Sequence, residues 1–111
     1  MLISDLMKRV AVSHVSGTLP ESFDGVYAGD LLSRAMSHVQ ADNLWITIMT
    51  NTNVVAVASL TEAAAVILAE GVTLIPEAAA AAEENGICIL SSDLSVYELC
   101  RDIGALCAES V

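Results

Sequence analysis

A chain of 111 residues is the length of one domain and can bury a sizeable core. Its composition, 55% hydrophobic, 16% charged and 4% aromatic, excludes a disordered segment and a coiled coil. Fourteen acidic residues stand against Lys8, Arg9, Arg34 and Arg101, and a net charge of −10 would repel phosphates, which excludes a nucleic-acid binder.

The first segment, "LISDLMKRV", reads as a helix with Ser4 available as its N-cap. Asp5 comes early and the basic pair late, the reverse of a signal peptide. "AVSHVSG" reads as a short extended piece and "SGTLPESFDG" as a polar connection. "GVYAG" is a strand. In the next segment Leu31, Leu32, Ala35, Met36 and Val39 share one apolar face at helical spacing, with Asp30 placed to cap the helix. "LWITIM" is apolar on both faces apart from Thr47, as in a buried parallel strand.

The stretch "TNTNVVAVASL" is ambiguous. Its valines have high β-propensity and would suit a hairpin. A parallel neighbour needs a crossover, however, and only residues 53–61 can supply one before "AAAVILA". The expectation is therefore strand, loop, helix, with Asn53 as N-cap and Thr50 to Thr52 as the entry loop. "AAAVILA" is a strand stopped by Glu70 and Gly71. "EAAAAAEE" is a helix between Pro76, suited to a first turn, and Gly86, suited to a C-terminal stop. "GICIL" is the last strand. The final helix, "SVYELCRDIGALCAE", opens on a capping box, Ser95 with Glu98.

This alternation predicts an α/β fold: one three-layer domain over residues 1–111, with a mainly parallel sheet of about four to five strands flanked by helices. The mean hydropathy of +0.65 invites a membrane span. The longest apolar region, "VVAVASLTEAAAVILA", carries Thr61 and Glu62 in its middle, and a spanning helix needs about 20 predominantly apolar residues. No membrane association is expected, and the expected location is cytoplasmic.

The segment order resembles the DRTGG domain family over residues 26–106. "DLLS", "WIT", "NVVAVASL" and "GICILSSDLSVYEL" carry the resemblance, in sequence. It implies an α/β module related in fold to the N-terminal domain of HPr kinase/phosphorylase. Such modules occur alone, beside CBS domains in regulated pyrophosphatases, and within some phosphotransacetylases. The resemblance further implies a regulatory, dimer-forming unit and no catalyst. The departures fall on the residues that name the family. Its Asp-Arg pair is replaced by "TNTN", and of its Thr-Gly-Gly only Gly71 remains, within "LAEG".

In a parallel sheet all strands end at one edge, and ligands bind there near a switch in strand order. The residues after each strand are Asp30 with Gly29; Thr50, Asn51, Thr52 and Asn53; Glu70 and Gly71; and Ser91, Ser92 and Asp93. These are the candidate ligand-binding residues. They include no Lys or Arg, and acidic caps oppose phosphate, so a nucleotide polyphosphate fits poorly. A neutral or hydroxyl-rich small molecule, a metal held by Asp30, Glu70 and Asp93, or no ligand at all fits better, since the same residues serve as ordinary caps and turns.

No catalytic residue, metal site or cofactor is assigned. His14 and His38 lack ligand-spaced partners. Ser91 and Ser92 lack the GxSxG elbow, and no GxxxxGK[ST] loop is present. Cys88, Cys100 and Cys107 form no CxxC and read as buried, reduced thiols. The expected function is a non-catalytic regulatory or adaptor module that homodimerises, associates with a metabolic enzyme and responds to a small molecule. The helix Asp30–Val39 and the segment Asn53–Leu60 are the expected dimer contacts. A nucleotide-binding sensor and a small metal-dependent enzyme using the acidic sheet edge are the alternatives.

Overall fold

A computed structural model describes residues 1–109. In chain order the elements are α1 (Ile3–Arg9), β1 (Ser13–Ser16), β2 (Val26–Ala28), α2 (Leu32–His38), β3 (Leu44–Thr47), α3 (Thr52–Thr61), β4 (Ala65–Leu68), α4 (Pro76–Asn85), β5 (Ile89–Ser91) and α5 (Val96–Glu109). The five strands form one sheet in the order β1-β5-β4-β3-β2. Strands β2 to β5 are parallel, and β1 pairs antiparallel with β5.

The parallel strands thus lie side by side in sequence order, each joined to the next by one helix. Residues of β3 and β4 are buried on both faces, which explains their unbroken apolar runs. One face packs against the crossover helices α2, α3 and α4 through Ala35, Val54, Val57, Ala58, Ala78 and Ala82. The other packs against α1 and α5 through Ile3, Leu6, Leu99, Ile103 and Leu106. No helix among the described residues is long and apolar enough to cross a membrane.

The stretch after β3 is loop and helix, as the crossover argument requires, but the cap is two residues earlier than expected. Asn51 is the N-cap, and its side-chain oxygen accepts the Asn53 N–H at 3.1 Å. The alternating Thr-Asn repeat offers two equivalent caps. Starting the helix at Thr52 turns Val54, Val55, Val57 and Ala58 inward. Asn51→Ala is expected to cost about 1 kcal/mol and Asn53→Ala almost nothing, measurable by chemical denaturation of the two variants.

Other expectations are also corrected. Ser4 is not a cap: α1 begins after Leu2 without a side-chain hydrogen bond. Asp30 does not cap α2, whose N-cap is Leu31. Leu31 and Met36 lie outside the core, at 64% and 53% exposure. The polar connection before β2 contains a core residue: Phe23 is buried and donates its N–H to the Met1 carbonyl at 2.8 Å. Around it, Leu2 and Ser22 form an antiparallel bridge that folds the N-terminus onto the connection.

The signals at the other end hold. Pro76 opens α4, and Gly86 closes it in the left-handed conformation at φ 68°. Ser95 and Glu98 exchange the two bonds of a capping box, Ser95 N–H to Glu98 Oε1 at 3.0 Å and Glu98 N–H to Ser95 Oγ at 3.1 Å. The bond from the Ser95 backbone, then that with its hydroxyl, holds the Glu98 carboxyl below its ordinary range.

Of the cysteines only Cys88 is buried; Cys100 is exposed and Cys107 half-buried. Position 100 follows Leu99, which takes the inward place on α5. Burial pushes the Cys88 thiol up to about 11. At pH 7 iodoacetamide should therefore modify Cys100 in the folded protein and reach Cys88 only on unfolding, as peptide mass mapping would show. A thiol raised from 9.0 to about 11 contributes stability that is complete below pH 9 and is lost as pH rises through 11. The melting temperature should fall over that interval, and less so in Cys88→Ala.

Candidate functional site

The C-terminal ends of the parallel strands gather the predicted residues along one edge, but they do not form one site. Asp30 follows β2, and its Oδ1 accepts the Thr47 hydroxyl at 2.7 Å and the Ile48 N–H at 3.0 Å. Thr47 is wholly buried, so its hydroxyl must find an acceptor inside the structure, and that need draws Asp30 to the end of β3. The Thr47 oxygen also receives the Met49 N–H at 3.2 Å. Asp30 is thus a strut between β2 and β3.

In the loop from Thr50 to Asn53, Asn51 and the Thr50 carbonyl are likewise committed to structure. Asn51 caps α3, and the Thr50 carbonyl accepts the Ile75 N–H at 3.0 Å, tying this loop to the entry of α4. Among the described residues no group of three or more His, Cys, Asp or Glu is arranged to hold a metal ion. The metal set imagined from Asp30, Glu70 and Asp93 therefore does not assemble.

The remaining candidates other than Glu70 meet. Gly71, Ser91, Ser92 and Asp93 line a cleft of about 400 Å³. Residues 11–13 and Val15, from β1 and its lead-in, form a second part of its lining; residues 72–74, after β4, form a third. The buried Leu68 and the half-buried Leu94 complete its apolar surface. Glu70 does not line it. The cleft lies where the antiparallel edge strand β1 joins β5. It does not lie at a reversal among the parallel strands, since β2 to β5 run in sequence order.

Local geometry makes the cleft. Glu70 and Gly71 both take the left-handed conformation, with φ of 60° and 72°, and the Val72 N–H returns to the Ala69 carbonyl at 3.3 Å. This tight turn carries the chain sharply out of β4. It is pinned to the next loop by Glu70 N–H to Leu94 O at 2.8 Å and Gly71 N–H to Ser92 O at 2.9 Å. Ser92 is buried and acts as a clamp. Its hydroxyl donates to the Ala11 carbonyl at 2.7 Å and accepts the Leu94 N–H at 3.1 Å. Its proton is spent on holding the β1 lead-in against the β5–α5 loop. The exposed Asp93 carboxylate reaches over Gly71, where an added Cβ would stand 3.2 Å from Asp93 Oδ1.

The charges are one-sided. No Lys, Arg or His lines the cleft, and Asp93 is its one ionisable side chain among the described residues. Arg9 and Arg101 are engaged elsewhere with Glu109 and Asp102.

No family model matches the sequence, and no curated protein matches it either. Among solved structures, the chain is similar to the CBS and DRTGG domains of the regulatory region of Clostridium perfringens pyrophosphatase, complexed there with the activator diadenosine tetraphosphate. The TM-score is 0.72 at 12% identity, covering 92% of this chain and 45% of that one. The likeness is one of fold. The chain spans less than half the length of that neighbour, and the DRTGG resemblance reaches as far as the architecture and no further.

Of this cleft the sequence pointed to Gly71, Ser91, Ser92 and Asp93. Residues 72–74 and the β1 side were missed. The hydroxyls Ser13 and Thr73 flank ordinary apolar residues and carry no motif.

Proposed function

We propose that this chain is a non-catalytic regulatory or adaptor module of the cytoplasm, which homodimerises, associates with a metabolic enzyme and senses a small molecule in the β4–β5 cleft. The observation that carries this reading is the cleft itself. It is formed by an edge strand and two hydrogen-bonded loops, and its buried serine is used for structure. A site formed by an edge strand and two loops, with its buried serine committed to shape, suits binding better than bond-making. The fold neighbour belongs to a regulatory region, which supports the same role.

Support for dimerisation comes from charge and exposure together. Between Asp30 and Asp42 the chain has no acidic residue, while it carries Arg34 and His38. This is the segment that exposes Leu31 and Met36, beside the open edge strand β2 with Val26 at 39% exposure. Leu60, on α3, is 72% exposed. Two copies of a chain with net charge −10 can approach through such a face with little repulsion. Light scattering at micromolar concentration tests this: a dimer that tightens with added salt is expected, because salt screens the remaining carboxylates. A mass of 11.6 kDa at every salt concentration would defeat it.

A second reading, a nucleotide sensor, is favoured by the activator bound to the fold neighbour. The cleft's lack of cations opposes it. Calorimetry with ATP, AMP and a dinucleoside polyphosphate should show no binding tighter than about 100 μM, roughly −5.5 kcal/mol. A micromolar isotherm would establish the nucleotide reading instead.

A further inference from the structure

The chemistry of the cleft narrows what it can take. Its apolar surface comes from Val12, Val15, Leu68, Val72, Leu74 and Leu94. Its side-chain hydroxyls come from Ser13, Thr73 and Ser91 beside the clamped Ser92, and its charge from Asp93. The two ion pairs of the described residues, Arg9–Glu109 and Arg101–Asp102, leave Asp93 out. A carboxylate at an otherwise apolar and hydroxyl-lined cleft attracts a cation and repels an anion. The field of a protein with net charge −10 acts in the same direction. A volume of about 400 Å³ lies near the lower end of small-molecule pockets and suits a compact ligand.

Building on the sensing role proposed above, we infer that the cleft binds a small amphiphilic amine. The ammonium group lies against the Asp93 carboxylate, on a lining that also carries the hydroxyl residues Ser13, Thr73 and Ser91. The short apolar body lies against Leu68, Val72 and Leu74. A metal ion is a poorer occupant, because a single carboxylate supplies too few oxygens for a hard cation. A neutral polyol would leave the apolar surface unused.

Three probes that share one branched apolar body separate the possibilities: 3-methylbutylamine, 3-methylbutan-1-ol and 3-methylbutanoate. Each is titrated into the full chain at pH 7 and low salt, and binding is followed by the backbone amide resonances of Gly71, Ser91, Asp93 and Leu94. The amine is expected to bind about fivefold more tightly than the alcohol, and the acid more weakly than both, with the amine's advantage shrinking as salt is added. Asp93→Asn should bring amine and alcohol to equal affinity while leaving the melting temperature unchanged, since among the described residues that side chain takes part in no ion pair of the fold. Equal binding of amine and alcohol to the unaltered chain would overturn the amine assignment and keep the cleft as a sensing site. Resonances that move with none of the three probes would overturn the inference, while the dimeric, regulatory reading stands or falls separately on light scattering.

Discussion

Gly17→Ala is expected to destabilise the protein by about 3 kcal/mol or more, enough to leave much of it unfolded. Gly17 follows β1 with φ of 75°, a conformation that costs a side-chain-bearing residue about 1 kcal/mol or more. Steric overlap adds to this. An ideal Cβ would stand 1.8 Å from the Ile87 carbonyl oxygen, 2.3 Å from its carbon and 2.9 Å from the Cys88 nitrogen. All three are backbone atoms, so no side chain can swing aside. Either β1 must lift from β5 or the turn between α4 and β5 must move. The first would also strain the bond that ties this corner to α4, Gly17 N–H to Glu83 Oε2 at 2.8 Å. Since residues 11–13 and Val15 line the cleft, the same variant should also weaken binding of any cleft ligand. Gly104→Ala is the control. Gly104 lies within α5 with nothing within 4 Å of an added Cβ, so alanine should stabilise by roughly 0.5–1 kcal/mol. Urea unfolding should show the two midpoints moving in opposite directions. A Gly17→Ala midpoint equal to the parent's would mean that β1 does not pack on β5 as described.

That corner also shows why the sequence revealed some features and concealed others. The parallel layers were legible because β3, β4 and β5 are each followed by a local signal: the Asn-rich entry to α3, Pro76 with Gly86, and Ser95 with Glu98. Such signals act within a few residues and can be read from a single chain. The direction of β1 was not legible. It depends on pairing Ser13 with Ser91, contacts made across nearly the whole chain, and on Gly17 being small enough to pass Ile87. Asp30 failed as a cap for a related reason. Local preference places it at a helix start, but a buried hydroxyl on another strand competes for the same carboxylate and wins. The cleft was legible only in part, for both reasons together. Gly71 and Asp93 follow strands whose ends could be predicted, whereas the β1 side exists only after the long-range pairing forms.

Trp45→Ala is expected to cost about 3–5 kcal/mol. Trp45 is the sole tryptophan, wholly buried on β3, and pairs in register with Tyr27 of β2 and Val66 of β4. It belongs to the core on the α2–α4 side, where the helices contribute mostly alanine and valine. Small neighbours have little side chain with which to refill the space, so the cavity persists and the cost falls toward the upper end of that range. The indole has a second role. Its Nε1–H donates to the Gly29 carbonyl at 3.0 Å, just before Asp30 crosses to Thr47 and Ile48. Trp45→Phe keeps most of the volume but leaves that carbonyl without its donor, and should cost roughly 1–3 kcal/mol. Because β2 is an edge strand, the loss should be felt first there, as faster amide exchange in residues 26–30. The parent protein supplies its own probe: Trp45 fluorescence should be blue-shifted when folded and move to the red in one step with unfolding. A Trp45→Ala variant that loses less than about 1 kcal/mol would show that this face of the sheet is not close-packed around the ring.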